Sequence, residues 1–346
     1  MDQPPANRRR FFRDIALLTL GGVVGTTRLP AQAARSASPY APLRLFGSEY
    51  VEASDVARRL GLALSWITPQ RKIRLKLGNN TVDVAADSVE AWINGLKVFL
   101  GDPVVSRNGT LLVGMRDAEY LLRPILLPGS AQPVPVIRTI VIDPGHGGDD
   151  PGNQNSRLKL SEKTFTLDVA KRLERLLKAQ GFRVVLTRSH DRRLDLDERT
   201  DIARRARADL FISVHFNAFS EARVTGTETF VLTPRLQRSS PQAERDKSMM
   251  ATSYPGNKYD HWNALLGYQM HRQLVQQLQL EDRGLKRFRY RVLCMAECPA
   301  VLVEAAFLSN DAEGRKVATP AYRQQIAEGI AAGVKANAAT LTSLRR

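Results

Sequence analysis

Apolar residues recur along this chain in two rhythms, and the change of rhythm divides it. Between about Leu43 and Leu127 the rhythm is mostly that of strands: Ile73, Leu75 and Leu77, then Val82 and Val84, alternate with polar neighbours. Asn79-Asn80 and Asn94-Gly95 are tight-turn signals between such strands. Glu52 to Leu60, closed by Gly61, has the spacing of a short helix. Trp66, Trp92 and Phe99 are expected to supply the core of this small α+β domain, residues 43–127. From about residue 136 onward, short and nearly continuous apolar runs alternate with longer stretches of helical period. Thr139–Asp143, Arg183–Arg188, Asp209–His215, Thr227–Leu232 and Ala300–Ala305 predict strands, and 162–180, 196–207, 262–280 and 320–338 predict helices. This alternation predicts an α/β domain over 137–340, a mainly parallel sheet with helices on both faces. Residues 234–261 are polar, carry Pro234, Pro241 and Pro255, and read as a long inserted loop. Stretches 34–42 and 128–136 read as linkers.

Three predicted strands run into residues that carry chemistry. Ile140-Val141-Ile142 leads into Asp143-Pro144-Gly145-His146, the third strand ends at His215, and Val301-Leu302-Val303 leads into Glu304. In a parallel sheet the carboxyl ends of the strands share one edge, and binding crevices form outside it. Taken alone, each residue has a plainer reading: a loop histidine bonded to backbone, or a buried salt bridge from Glu304 to one of the many arginines. Their coincidence at one edge outweighs that. Glu162 joins them. With Ser161 as N-cap and Gly181 as stop, Glu162 shares a helix face with Phe165, Val169, Leu173 and Leu176, so its carboxylate faces the sheet. A first-turn acid also complements the helix dipole, by about 0.3–1 kcal/mol. An inward carboxylate without a partner is costly, however, and is natural as a metal ligand. Two imidazoles and one carboxylate, with an open fourth position, form the ligand set of a catalytic zinc; here His146, Glu162 and His215 would hold one ion. Such an ion polarises a carbonyl and lowers the pKa of its water to about 7. Glu304 is placed to take the proton from that water and pass it to a leaving amine. His190 falls in the Arg/Asp-rich stretch 188–199, which reads as a solvated loop, and His261 and His271 fall in or near the insert and its helix. Phe288–Tyr290, within the basic run Arg283–Arg291, could touch an anionic or sugar substrate, but the run reads first as a solvated basic face, and Asn217, two residues past His215, is a candidate neighbour of the substrate.

Composition narrows the function. With 43% hydrophobic residues over 346 positions the chain can bury real cores, and its net charge of +16 favours anionic partners by long-range attraction. Nucleic acid and an anionic cell envelope are the two candidates. No helix-turn-helix, zinc finger or aromatic RNA-binding signature accompanies the charge, so nucleic acid is not expected as a partner. Cys294 and Cys298 are too few for a disulfide scaffold, and their spacing is not that of a zinc ribbon. They are expected either as two buried thiols or as a short-loop disulfide. The N-terminus reads as a targeting segment. Asn7-Arg8-Arg9-Arg10-Phe11-Phe12-Arg13 resembles the twin-arginine export motif, the run from Ile15 to Gly25 is too short and glycine-rich to span a bilayer, and Ala31-Gln32-Ala33 is an A-x-A-like cleavage site. A cleaved signal over residues 1–33 implies an exported protein of the periplasm or cell envelope, with no stable membrane span. Its loss removes five Arg and two Asp and leaves a charge of +13.

With these motifs in place, the chain from Thr139 to about Val334 resembles the zinc-dependent N-acetylmuramoyl-L-alanine amidase family. The resemblance rests on IVIDPGHGGDDPG, SEKTFTLDVAKRLERLLKAQGFRVVLTR, RADLFISVHFNA, GTETFVL and CPAVLVEAAFLSN, in that order. It implies a peptidoglycan hydrolase that cuts the amide between N-acetylmuramic acid and the L-alanine of the stem peptide, in wall remodelling or daughter-cell separation. It also implies zinc on His146, Glu162 and His215, with Glu304 catalytic. Some relatives carry an insert that blocks the zinc until a partner binds, and residues 234–261 are the candidate target of such a protein activator. The stretch from YVEASDVARRLGLALSWITPQRKIRLKLG to RDAEYLL is similar to the N-terminal stalk domain of copper amine oxidases, which carries no copper chemistry. It is expected as a wall attachment or a passive spacer. The competing expectations are a non-catalytic cell-wall-binding protein on the same fold, and a basic polyanion binder.

Overall fold

The computed structural model describes residues 41–240 and 247–346; the export-signal reading of residues 1–33 lies outside the described residues. No helix among the described residues is long and apolar enough to cross a membrane. The first part of the chain forms short antiparallel strands: β1 (Leu43–Leu45), β2 (Ser48–Glu52), β3 (Ala63–Thr68), β4 (Lys72–Leu77), β5 (Asn80–Ala85), β6 (Glu90–Ile93), β7 (Leu96–Phe99), β8 (Val105–Arg107) and β9 (Thr110–Gly114). Helix Ala53–Leu60 follows β2 and is stopped by Gly61. β4 turns into β5 at Gly78-Asn79, with Leu77 paired to Asn80, and β6 turns into β7 at Asn94-Gly95. The expected aromatic core does not form. Ile73, Leu75, Val82, Val84, Ile93 and Val98 fill the interior, whereas Trp66 is 40% exposed on the terminal strand β3. Trp92 and Phe99 are half-buried, because the alternation that buries Ile93 and Val98 turns these two to the other face of the sheet.

The second part contains β10 (Thr139–Pro144), the small hairpin β11 (Gln154–Asn155) and β12 (Leu160–Ser161), β13 (Arg183–Leu186), β14 (Leu210–Asn217), β15 (Thr227–Val231), β16 (Asp282–Arg287) and β17 (Ala300–Phe307). Its main helices are Glu162–Ala179, Leu196–Arg205, Asp260–Leu278 and Pro320–Ser343. The strand order is β13-β10-β14-β17-β15-β16. β13, β10, β14 and β17 run parallel, as the strand–helix alternation implies. β15 lies antiparallel to β17 and parallel to β16, so two strands are reversed. Ile140, Ile142, Ile212, Val214, Val301 and Val303 belong to the larger core with the three long helices. Val141, Phe211 and Leu302 point the other way and pack with Ala203, Val292 and Leu293. Helices therefore cover both faces, and the strand ends lie between them.

β16 is an element that the hydrophobic pattern does not announce. The run Arg283–Arg291, a solvated face by its composition, is largely interior: Lys286, Arg287 and Arg289 are all buried. Each cation meets an acceptor. Lys286 Nζ donates to Glu228 (2.6 Å), Arg287 pairs with Asp117, and Arg289 donates to backbone carbonyls and Ser239. β16 also pairs with β7 through Leu285 and Val98, so the sheets of the two parts join into one of eleven strands. His271 is buried beside this junction, 3.0 Å from Thr229 Oγ1 and 2.9 Å from Asp282 Oδ1, and serves the fold.

Asp260 opens helix Asp260–Leu278 and is buried. Burial raises its carboxyl to about 7, against the hydrogen bonds of Asn257 and the charges of His261, Arg287 and Arg289. The folded pKa thus stands above the unfolded value near 3.8, so the stabilisation carried by the protonated form is complete below about pH 4 and is lost as pH rises through 7. Asp260→Asn is expected to flatten this dependence and to raise stability at pH 8 by about 2–4 kcal/mol, measured by urea unfolding across that pH range.

Candidate metal centre

β10 ends at Pro144, and the chain turns at Gly145 and His146. His146 has a φ of 60°, in the left-handed region that residues with side chains rarely adopt. Such a conformation persists only where the surroundings hold it. Two buried arginines do so. Arg188 donates to the carbonyls of Pro144 (3.0 Å), Gly145 (2.8 Å) and Lys163 (2.9 Å). Arg199 donates to the carbonyls of Pro144 (2.8 Å) and His146 (3.0 Å) and pairs with Asp143 at 2.8 Å. Asp143 also accepts from Thr187 Oγ1 (2.6 Å) and Ser213 Oγ (2.8 Å). Burial alone would raise the Asp143 carboxyl; the charge of Arg199 and the Thr187 hydroxyl outweigh it and hold the group below its usual value. The stretch 188–199 is therefore not solvated at its two arginine ends, where the residues are 1% and 3% exposed. They are interior because the turn leaves backbone carbonyls that need donors. A signal for one of them lies in the sequence. Arg188 closes a predicted strand, as His215 does.

The turn also needs glycine on both sides. A Cβ at Gly145 would stand 2.2 Å from His215 Cε1, and one at Gly152 would stand 2.5 Å from His146 Cδ2 and 2.7 Å from Glu162 Oε2. Glu162 is the first residue of its helix and is fully buried. Phe165, Val169 and Leu173 continue its inward face, with Leu177 fully buried and Leu176 partly buried against the same core. Ser161 precedes the helix, but its hydroxyl donates to the Pro151 carbonyl (2.9 Å) and does not cap the helix. Glu162 Oε1 lies 2.9 Å from His215 Nδ1 and accepts from the Phe216 amide (3.0 Å). Oε2 lies 3.1 Å from His146 Nε2 and accepts from the Asn153 amide (2.8 Å). Burial works to raise this carboxyl, but the two imidazoles hold it well below the ordinary range. The other nitrogen of His146, Nδ1, lies 2.8 Å from Asp150 Oδ2. Ligand atoms of His146, Glu162 and His215 all lie within 4.8 Å of one another, a group suited to a metal ion.

Glu304 pairs in register with His215 across β14 and β17. It is buried, and its Oε2 has no hydrogen-bond partner. Burial, reinforced by the negative charges of Glu162 and Glu228, raises its carboxyl well above the ordinary value, with Lys286 opposing. His146, His215 and Glu304 line one cleft of about 430 Å³, together with Leu196, Tyr290, Arg291 and Val292. Asn217 turns to Glu228 (3.0 Å). His190 is exposed, and His261 lies 3.7 Å from Glu119, on other elements. Cys294 and Cys298 are both buried thiols, the first of the two expected states. Burial pushes the Cys298 thiol up to about 12.

Comparison with known proteins gives this geometry a context. Residues 140–336 match the family model described as N-acetylmuramoyl-L-alanine amidase, and residues 36–122 match that of the copper amine oxidase N-terminal domain. The chain is 32% identical over 228 residues to N-acetylmuramoyl-L-alanine amidase AmiC of Escherichia coli O6:H1, covering 60% of this chain and 54% of that protein. It is 29% identical over 302 residues to N-acetylmuramoyl-L-alanine amidase LytC of Bacillus subtilis, covering 84% of this chain and 54% of that one. It is 34% identical over 218 residues to N-acetylmuramoyl-L-alanine amidase AmiA of Escherichia coli K12, covering 57% and 75%. The chain spans about half the length of the first two of these curated relatives.

Asp150 is partly exposed and touches the three-residue group only through His146. Asp150→Ala is expected to leave the fold intact and to weaken binding of a divalent cation about 10–100-fold. Competition against a chromophoric chelator measures it.

Proposed function

The chain belongs to the N-acetylmuramoyl-L-alanine amidase family, and from that premise we propose that it hydrolyses the amide between N-acetylmuramic acid and the L-alanine of the peptidoglycan stem peptide. The observation that carries this reading is one cleft in which a three-donor metal group stands beside a buried carboxyl with an unpartnered oxygen.

The residues present fit one zinc ion. Two imidazoles and a carboxylate leave a fourth position open. Magnesium and calcium favour all-oxygen ligand sets and suit the group less well. Asp150 on His146, and the Asn153 and Phe216 amides on Glu162, would orient the ligands. When bound, zinc would supply Lewis acidity to the scissile carbonyl and lower the pKa of water. The remaining steps belong to the chain. Glu304 takes a proton as the water oxygen bonds to the carbonyl carbon. It returns that proton to the nitrogen as the carbon–nitrogen bond breaks, so L-alanine leaves as a neutral amine. A carboxyl already displaced upward is suited to holding the proton between the two steps. Leu196, Tyr290 and Val292 give the cleft an apolar wall that limits water around the reacting amide.

The reading extends to place and partners. It includes export to the periplasm or cell envelope, attachment to the wall by the N-terminal part, and an activator protein acting on 234–261. A non-catalytic wall-binding protein on this fold would have no use for the unpartnered oxygen of Glu304.

Digestion of purified peptidoglycan by the mature protein is expected to release intact stem peptides with new L-alanine amino termini, seen by mass spectrometry and abolished by a zinc chelator. Glu304→Gln is expected to slow release about 10²–10⁴-fold while zinc content stays at about one per chain. Cuts within the stem peptide would identify a metallopeptidase instead. Binding without cleavage by zinc-loaded protein would favour the wall-binding alternative.

A further inference from the structure

A buried polar hub ties the N-terminal part to the segments that frame the cleft. Asp117 lies just after β9 and has no exposed surface. It accepts from the Gly101 amide (3.0 Å), from Gln237 Nε2 (2.8 Å) and from Arg287 Nη2. Arg287 also donates to Gln237 Oε1 (2.9 Å) and to the Phe99 carbonyl (3.3 Å). Residues 99, 101 and 117 belong to the N-terminal part. Arg287 ends β16, and Gln237 lies at the entrance of the polar segment 234–261.

From Arg287 the chain continues directly into the cleft wall. The Phe288 amide donates to the Val231 carbonyl (2.9 Å), and the Ser240 amide donates to the Arg287 carbonyl (2.8 Å). Arg289 donates to the carbonyls of Pro234 (3.1 Å) and Gln237 (2.8 Å). Tyr290 packs edge-on against Phe230, with ring centres 5.3 Å apart, and the Leu293 and Cys294 amides donate to its carbonyl. Tyr290, Arg291 and Val292 then line the cleft beside His215 and Glu304. Only Phe288 and Arg289 separate the hub's Arg287 from Tyr290, the first residue of that wall. A buried ion pair tolerates little displacement, because either charge left alone in the interior is costly.

We propose that Asp117 is a positioning residue for the cleft: acting through Arg287 and Gln237, it sets the wall at Tyr290–Val292, so the N-terminal part is a component of the site and not a detached spacer. The proposal rests on the reading of this cleft as the active site.

The test uses the full mature chain with Asp117→Asn and, separately, Gln237→Ala, which keeps both charges and serves if the first variant fails to fold. Hydrogen exchange followed by mass spectrometry reads the wall without substrate. Exchange across 288–294 is expected to speed about tenfold or more in either variant, with β10 and β14 unchanged. Zinc affinity is expected to be unaltered. On peptidoglycan, KM is expected to rise about fivefold or more, with kcat changed less than about twofold. Unchanged exchange at 288–294 in the folded variants overturns the proposal. So does an equal rise over the whole sheet, which marks general destabilisation. Faster exchange confined to 288–294 in a protein that cuts nothing even as wild type would uphold the link to the wall and remove the amidase reading.

Discussion

The site depends on three consecutive carbonyls, those of Pro144, Gly145 and His146, which accept hydrogen bonds from two guanidiniums in the interior. A buried acceptor without a donor costs about 1–3 kcal/mol, and here three occur in one turn. Arginine suits the task because it offers five donors in a rigid plane and keeps its charge; lysine would offer a point charge on a flexible stem. The charge of Arg199 is balanced by Asp143, which Thr187 and Ser213 hold in turn. One cluster thus joins the end of β10, the residue after β13, the middle of β14 and helix Leu196–Arg205. The left-handed backbone of His146 is sustained by this cluster, and from it the imidazole reaches Glu162.

Around that turn, two buried glutamates are driven in opposite directions. Glu162 has four nitrogen neighbours, two from imidazoles and two from amides, and stays ionised. Glu304 has an oxygen without a partner and faces the negative charges of Glu162 and Glu228. Burial acts on both in the same sense, so the neighbours decide the difference. A pair of acids separated in this way can divide the labour of a hydrolysis, one as a fixed ligand and the other as a proton carrier.

Much of this is legible in the sequence, for a local reason. Strand ends are marked by where apolar runs stop, and helix phase by steps of three and four, so His146, His215, Glu304 and Glu162 can be placed at one edge from short windows of sequence. The features that escape are those decided by remote partners. β16 carries three cations, and whether Lys286 and Arg287 are solvated or buried is settled by Glu228 and Asp117, 58 and 170 residues away. Arg188 and Arg199 look like surface residues until the carbonyls of the 144–146 turn are seen to need them. Trp66, Trp92 and Phe99 mislead for the opposite reason: large apolar residues suggest a core, but strand alternation assigns the inward places to smaller aliphatic neighbours.

The place of β17 in the sheet has a consequence for how the molecule is made. It lies between β14 and β15, yet it is the last strand of the chain. While a ribosome is still short of residue 307, β14 and β15 each present an open edge, and such edges invite pairing with other chains. Closure also waits on contacts between residues far apart in sequence, such as Val98 with Leu285, which makes folding slow. The strand that seals the sheet is also the strand that delivers Glu304. Of His146, Glu162, His215 and Glu304, the last is therefore also the last to be synthesised. Helix Pro320–Ser343, made later still, packs against helices Glu162–Ala179 and Asp260–Leu278 and completes the fold around that strand.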